Sequence, residues 1–166
     1  EADDRALASG TTTDKIFDMV KSIQDKIHIP IVFMTYINPI YVYGTEKFAK
    51  KPKECGVAGV IVPDVPFEEK KEIQDIFAKE NLVVISMIAP TSMDRVRMIA
   101  KEAEGFVYCV SSLGVTGVRS EINTGISALI EQVKQVKDIP CAIGFGISTP
   151  EQAKTMAAIS DGVIVG

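Results

Sequence analysis

The chain has 166 residues, of which 46% are hydrophobic and 24% are charged, so its composition is that of an ordinary globular domain. Its formal net charge of −4 argues against nucleic acid or an anionic membrane surface as the main partner, because both require a basic face. The sequence has no run of 18 apolar residues and does not begin like a signal peptide, so we expect a cytoplasmic protein.

Short runs rich in valine and isoleucine recur along the chain and predict strands that are buried on both faces, as in a parallel sheet. These predicted strands are 31–36, 57–62, 82–88, 106–110, 141–143 and 163–165. Apolar residues at helical spacing alternate with them and predict helices at about 16–27, 45–55, 67–77, 96–103 and 126–136.

Prolines mark the ends of several predicted helices. Pro52 is expected to kink or shorten the helix at 45–55, and Pro66 fits the first position of the helix at 67–77. Thr149, Pro150 and Gln152 form a start signal for a further helix, with a threonine cap, a proline at the first position and a glutamine at the third.

The alternation of strands and helices indicates right-handed βαβ units in a single domain over residues 1–166. The sequence opens on a helix and closes on a strand at 161–166. Six strands at this spacing are what remains of a (β/α)8 TIM barrel of about 250 residues without its first two strands and last helix. We therefore expect an α/β barrel, incomplete at both ends through disorder or because the chain is a fragment.

Cysteine and histidine give no sign of metal or nucleophile chemistry. Cys55, Cys109 and Cys141 lie far apart in or beside apolar segments, which predicts buried, reduced thiols. His28 is the only histidine and stands just before Pro30, where we expect a loop or a helix end. We expect no metal site and no serine–histidine mechanism.

The clearest functional signal is the run 144–148, Gly-Phe-Gly-Ile-Ser, between a predicted strand and a capped helix. Glycine lets backbone N–H groups approach an anion closely, and a helix N-terminus adds further donors. Barrels bind phosphate at the loops after their last two strands, where Gly146 and Gly166 stand. Alone the run also fits a tight turn, but with Gly166 it favours a phosphate monoester site, with Phe145 covering the apolar part of the ligand.

Other strand ends leave alternatives open. The stretch 112–124 has the length of a lid, although a passive surface loop has the same signature. Asp64 directly follows a predicted strand and could be a general base, or a turn residue that caps the helix at Pro66. Tyr36 and Tyr108 lie near strand ends and could be ligand walls or core.

Several segments occur together in one order: 5–10 (RALASG), 34–39 (MTYINP), 59–66 (GVIVPDVP), 89–92 (APTS), 114–117 (GVTG) and 144–148 (GFGIS). Together they resemble the tryptophan synthase α chain family over essentially all 166 residues. The combination of VPDVP, GVTG and GFGIS is what makes the resemblance specific.

The resemblance implies a lyase of tryptophan biosynthesis that cleaves indole-3-glycerol phosphate to indole and glyceraldehyde 3-phosphate in a retro-aldol reaction. It implies no cofactor for this chain, since pyridoxal phosphate belongs to the partner β chain, and an αββα heterotetramer as the assembly. By position, the phosphate would be bound by N–H groups of Gly117, Gly146 and Gly166. The residues implied for the indole pocket are Met34, Tyr36, Ile61, Met87, Tyr108 and Phe145.

Further roles are implied in the same way. Thr116, on the lid, would hydrogen-bond a catalytic aspartate when the lid closes, and Tyr108 would support the catalytic groups. The residues implied to face the β chain are Asn38, Pro39, Ile40, Tyr43 and Pro66.

The family's acid–base pair, a glutamate on the second strand and an aspartate in the next loop, precedes the segment that begins at Glu1. Asp3 and Asp4 are not followed by Gly-Pro and do not match that aspartate. We expect the 166 residues alone to bind phosphate and part of the ring without cleavage, and normal activity if further chain is present. The alternatives are a non-catalytic partner that activates a β chain, or another phosphosugar-binding TIM-barrel enzyme.

Overall fold

A computed structural model describes residues 2–90, 93–111, 119–144 and 146–166. The chain divides into two compact units, Glu1–Val84 (unit 1) and Ile85–Gly166 (unit 2). No helix in the described ranges is long and apolar enough to cross a membrane.

Unit 1 is built on a parallel sheet in the order β1-β2-β3, with helices between the strands. Its elements are α1 (Ala2–Ala8), α2 (Thr13–Ile23) with a 3-10 turn (Gln24–Lys26), β1 (Ile31–Met34), α3 (Ile37–Tyr43), α4 (Thr45–Glu54), β2 (Val57–Ile61), α5 (Lys71–Ala78) and β3 (Val83–Val84).

Aromatic rings from the helices and the sheet form the centre of unit 1. The ring of Phe17 lies 5.8 Å from that of Phe33, 5.7 Å from that of Tyr43 and 5.5 Å from that of Phe48, all at tilted or edge-on angles. Phe77 stacks on Phe48 at 6.0 Å and is fully buried. Rings in these arrangements contribute beyond the apolar area they bury, so they fix α2, α4 and α5 to one another.

Unit 2 repeats the pattern with a parallel sheet in the order β4-β5-β6-β7. Its elements are β4 (Ser86–Ile88), α6 (Met93–Glu102), β5 (Val107–Val110), α7 (Arg119–Val136), β6 (Cys141–Gly144), α8 (Pro150–Ala157) and β7 (Gly162–Val163). The strands β5 and β6 are largely buried and α6 packs on α7. The parallel sheets confirm what the valine- and isoleucine-rich runs predict.

Several predicted boundaries are wrong. The predicted strand 82–88 is two strands, β3 and β4, one in each unit. No helix begins at Pro66: residues 67–70 form successive turns, in which the carbonyl of Pro66 accepts from the N–H groups of Glu69 and Lys70, both at 3.0 Å, and α5 begins at Lys71. The helix α7 begins at Arg119, so residues 119–124 of the predicted loop 112–124 are helical.

Two helices show how context changes a sequence pattern. The helix α4 continues through the buried Pro52 and ends two residues later, at Glu54. The helix α3 has no helical signal in the sequence, because its residues are mostly β-branched or aromatic and include Pro39. A proline is tolerated in the first turn of a helix because the N–H groups there have no partner within the helix.

A polar contact ties the first residues of β6 and β7 to α7 in unit 2. One carboxylate oxygen of Asp161, just before β7, accepts from the N–H of Cys141 at 2.8 Å and from Lys134 Nζ at 2.9 Å. The hydrogen bonds from Lys134 and from the Cys141 N–H hold the pKa of Asp161 below its usual value. The carboxylate therefore stabilises the folded unit above the unfolded pKa of about 3.9, and that contribution is lost as the pH falls through the lower folded pKa.

The substitution Asp161→Asn tests this contact. Because both side chains are partly exposed, we expect it to lower the free energy of unfolding at pH 7 by about 1 kcal/mol or less. The difference from the unsubstituted chain should shrink as the pH falls from about 3.9 through the lower folded pKa, because the carboxylate then takes up a proton first in the unfolded and then in the folded state. Urea denaturation at pH 7 and pH 3 measures both values.

Asp138→Asn is the matched control, because Asp138 is fully exposed and lies 3.9 Å from the same Lys134 Nζ. We expect little or no change in the free energy of unfolding for it, since exposed ion pairs contribute little. A difference between Asp161→Asn and the unsubstituted chain that is the same at both pH values would contradict the assignment.

Candidate functional site

The carboxyl ends of β5 and β6 are joined by one residue. Ser111, which is fully buried, directs both its backbone N–H and its hydroxyl to the carbonyl oxygen of Gly144, each at 2.9 Å. The β5–β6 ladder pairs Val110 with Gly144, so these contacts lie where the strands end. They fix the start of the run 144–148 that the sequence singles out.

The first glycine of that run is required by a neighbouring ring. A Cβ placed on Gly144 would lie 2.5 Å from Cζ of Tyr108 and 2.9 Å from its Cε1, which is closer than real Cβ contacts come. Tyr108 is 7% exposed, and burial raises the pKa of its phenol, so the hydroxyl stays protonated at neutral pH. The ring of Tyr108 is thus a fixed wall against the backbone at the end of β6.

The second glycine is required by backbone conformation. Gly146 is exposed and has a φ of +77°, in the left-handed region where a side chain is strained. Glycine is therefore required for different reasons at the two positions: the nearby Tyr108 ring at residue 144, and the left-handed backbone conformation at residue 146. Phe145 between them lies outside the described residues.

The start of α8 confirms the predicted cap and limits what it can bind. Thr149 Oγ1 accepts from the N–H of Gln152 at 3.2 Å. In return, Gln152 Oε1 accepts from the N–H groups of Ser148 at 2.8 Å and Thr149 at 3.1 Å, and from Ser148 Oγ at 3.2 Å. Pro150 has no N–H. An anion at this turn would have to rely on the glycine segment and less on the helix N-terminus than the sequence suggests.

Gly166 leaves the sheet of unit 2 at the same edge as Gly144. The strands β6 and β7 run parallel, with Ile143 opposite Val163, and the N–H of Ile164 continues the ladder to the Ile143 carbonyl at 2.8 Å. Gly166 follows two residues later and is exposed. Gly117 and Thr116 lie outside the described residues, and their roles stay predictions.

Within each unit, residues predicted for the indole pocket lie opposite one another on adjacent strands. In unit 1, Met34 pairs in register with Ile61, and Tyr36 follows Met34 two residues on. In unit 2, Met87 pairs in register with Tyr108. Ile61 is buried, whereas Met34 and Tyr36 are more than half exposed. Each unit thus presents one apolar pair near its strand ends.

Asp64 binds the backbone of α3. Its carboxylate oxygens lie 3.0 and 3.2 Å from the N–H of Ile37, the first residue of α3, where the capping residue Tyr36 supplies no side-chain bond. Asp64 is therefore a cap for α3 and not for a helix at Pro66. The sequence could not show that Asp64 accepts a hydrogen bond from Ile37, because 27 residues separate the two.

The predicted partner-facing residues differ in accessibility. Asn38, Pro39 and Pro66 are exposed and Tyr43 is half-buried. Ile40 is fully buried in the core of unit 1, and its place at an interface stays a prediction.

The three cysteines are buried and free, as predicted. Hydrogen bonding to Cys141 and burial raise the pKa of the Cys109 thiol. Within the ranges that the structure describes, no three histidine, cysteine, aspartate or glutamate residues come together as metal ligands.

Parallel strands, intervening helices and a glycine turn at the carboxyl edge define the class of parallel α/β proteins that carry their ligand sites at that edge. The chain belongs to the tryptophan synthase alpha chain family, whose sequence model matches residues 1–166.

Curated relatives and solved structures of the same family also match the chain. The tryptophan synthase alpha chain of Lacticaseibacillus casei is 47% identical over 165 residues, and that of Caldanaerobacter subterraneus is 44% identical over 162 residues. These matches cover 99% and 98% of this chain, which spans 62% of the length of each relative.

The structure of tryptophan synthase subunit alpha from Campylobacter jejuni matches with a TM-score of 0.92 at 34% identity, covering 97% of this chain and 64% of that one. A structure of the tryptophan synthase a2b2 complex from Pyrococcus furiosus matches with a TM-score of 0.82 at 32% identity, covering 98% and 65%. The predicted fold class, α/β of the (β/α)8 barrel type, is confirmed.

Replacing Asp64 tests its role as a cap. Asp64→Ala should speed hydrogen exchange of the Ile37 amide about fivefold, because a lost cap is worth about 1 kcal/mol, whereas Asp64→Asn keeps an oxygen acceptor and should change it little. Glu69→Ala, an exposed acid in the turns before α5, is the control. Equal exchange in Asp64→Ala and the unsubstituted chain would contradict the cap.

Replacing Gly144 tests the contact with Tyr108. Gly144→Ala should lower the free energy of unfolding by about 1–3 kcal/mol, since the new methyl group overlaps the ring. Tyr108→Leu in the same chain should recover part of that loss. Gly162→Ala is the matched control, because its Cβ would lie 3.9 Å from that of Ala142, an ordinary contact. Urea denaturation would refute the contact if both glycine substitutions behaved alike.

Proposed function

We propose that the chain carries the phosphate- and ring-binding residues of a carbon–carbon lyase in tryptophan biosynthesis. The reaction is the retro-aldol cleavage of indole-3-glycerol phosphate to indole and glyceraldehyde 3-phosphate. Family membership supports this proposal, and one observation carries the site: the left-handed glycine turn at Gly146, which follows the end of β6 that Ser111 holds.

The phosphate is assigned to backbone donors. Gly146 and Gly166 leave the sheet of unit 2 at one edge, and Gly117 joins them through the resemblance alone. The run 144–149 contains no lysine or arginine, so neutral N–H groups of the turn would bind the anion. The capping box of α8 removes the N–H groups of Ser148 and Thr149 from that role.

The residues for the indole ring are carried over from the resemblance alone: Met34, Tyr36 and Ile61 in unit 1, and Met87, Tyr108 and Phe145 in unit 2. The pKa of the Tyr108 phenol is raised by burial, and the protonated hydroxyl is a hydrogen-bond donor in unit 2. By the resemblance, the glutamate and aspartate that transfer protons belong to a segment before Glu1. We therefore assign binding and orientation to the 166 residues, and proton transfer to groups outside them.

The proposed partner is a tryptophan synthase β chain, by analogy with the a2b2 complex of Pyrococcus furiosus. The exposed residues Asn38, Pro39 and Pro66, with the half-buried Tyr43, would face it. The chain itself is proposed to need no cofactor, because pyridoxal phosphate would belong to the β chain.

Calorimetric titration with glycerol 3-phosphate tests the site. Gly146→Val should raise the Kd at least about tenfold, because a β-branched residue cannot hold a φ of +77° without strain and the turn must change. Gly125→Ala, in α7 with open space at its Cβ, is the control and should leave the Kd unchanged. Equal affinity of Gly146→Val and the unsubstituted chain would remove the proposed site.

Indole release from indole-3-glycerol phosphate, measured with and without β chain, tests the division of roles. The 166 residues should bind glycerol 3-phosphate yet release no indole. Indole release by these residues alone would overturn the assignment of proton transfer to groups outside them.

A further inference from the structure

The carbonyl of Gly144 receives more hydrogen bonding than a strand end requires. The backbone N–H of Ser111 alone would continue the β5–β6 ladder by one step, at 2.9 Å. The hydroxyl of Ser111 adds a second donor to the same oxygen, also at 2.9 Å, in a fully buried position. Two donors from one residue fix both the position and the tilt of this last peptide group of β6.

The turn after Gly144 is pinned at its other end as well. Gln152 Oε1 accepts from the N–H groups of Ser148 and Thr149. Gly146 lies between the two anchors, in a conformation that only glycine adopts freely. Without an anchor at its start, a glycine-containing turn would sample other conformations and present its N–H groups to an anion for a smaller fraction of the time.

We propose that Ser111 is a positioning residue for the anion-binding turn: its hydroxyl holds the Gly144 carbonyl and so pre-organises the backbone donors at Gly146. This inference rests on the proposed phosphate site. Ser111 itself does not touch the phosphate, since its hydroxyl donates to the carbonyl. The residue therefore contributes to the affinity for phosphate esters and not to contacts with the indole ring.

The test compares Ser111→Ala with the unsubstituted chain by calorimetric titration with two ligands. Ser111→Ala keeps the backbone bond and loses the hydroxyl, so we expect the Kd for glycerol 3-phosphate to rise about three- to tenfold, the range that one buried hydrogen bond accounts for. The Kd for indole, which carries no phosphate, should stay within about twofold. Ser111→Cys, of similar size and with a weaker donor, should fall between the two chains.

The matched control is Ser160→Ala. The hydroxyl of Ser160 lies 2.8 Å from the backbone carbonyl oxygens of both Met156 and Gly162 and can donate to either one, but it lies near the amino end of β7, away from the glycine turn. It should lower the urea midpoint about as much as Ser111→Ala and leave both Kd values unchanged.

The measured Kd values distinguish the positioning role of Ser111 from the alternatives. A glycerol 3-phosphate Kd for Ser111→Ala equal to that of Ser160→Ala overturns the positioning role and leaves the proposed function standing. An equal weakening of glycerol 3-phosphate and indole shows a general loss of structure and also overturns it. An unsubstituted chain that does not bind glycerol 3-phosphate at all overturns the proposed site, and this inference with it.

Discussion

The contact between the ring of Tyr108 and the backbone of Gly144 is the constraint on which the candidate site of unit 2 depends. The ring lies where any Cβ at residue 144 would be, so β6 must end in glycine. A glycine at a strand end loses conformational freedom on folding and needs local contacts to hold it. The two bonds from Ser111 to the Gly144 carbonyl supply them. The ring of Tyr108 and the start of the proposed phosphate turn are therefore packed against each other, and a larger side chain at residue 144 would displace the ring.

This arrangement also explains how a chain with a formal net charge of −4 could bind a phosphate monoester. The proposed site uses no formal positive charge within the run 144–149, and the first donors of α8 are occupied by Gln152. The remaining source of affinity for the phosphate is a set of neutral N–H groups that point toward it. Neutral donors give useful affinity only when they are held in place before the ligand arrives, because each group that must be ordered on binding reduces the affinity. A rigid turn is thus more important here than it would be beside a lysine.

Local sequence signals predicted the strands, most of the helices between them and the capping box of α8. They succeeded because burial of a parallel strand and capping of a helix depend on residues close together in the chain. They failed where the decisive partner is remote. The helix α3 begins at Ile37 because of Asp64, 27 residues away, and Gly144 is a glycine because of Tyr108 on the neighbouring strand. The hydrogen bonds from Ser111 to the Gly144 carbonyl gave no signal in the sequence beyond one polar residue after a buried strand.

Asp64 shows how one carboxylate can link two proposed surfaces of unit 1. The helix α3 has seven residues, too few to be stable alone, and it is held by the burial of Ile40 and by the bond from the Ile37 N–H to Asp64. Asp64 follows β2, whose last residue, Ile61, pairs with Met34 in the proposed ring pocket. The exposed residues Asn38 and Pro39 of α3 are proposed to face a β chain. A movement of α3 would therefore be felt in the loop after β2 through this carboxylate, which the structure shows bound to the backbone of α3.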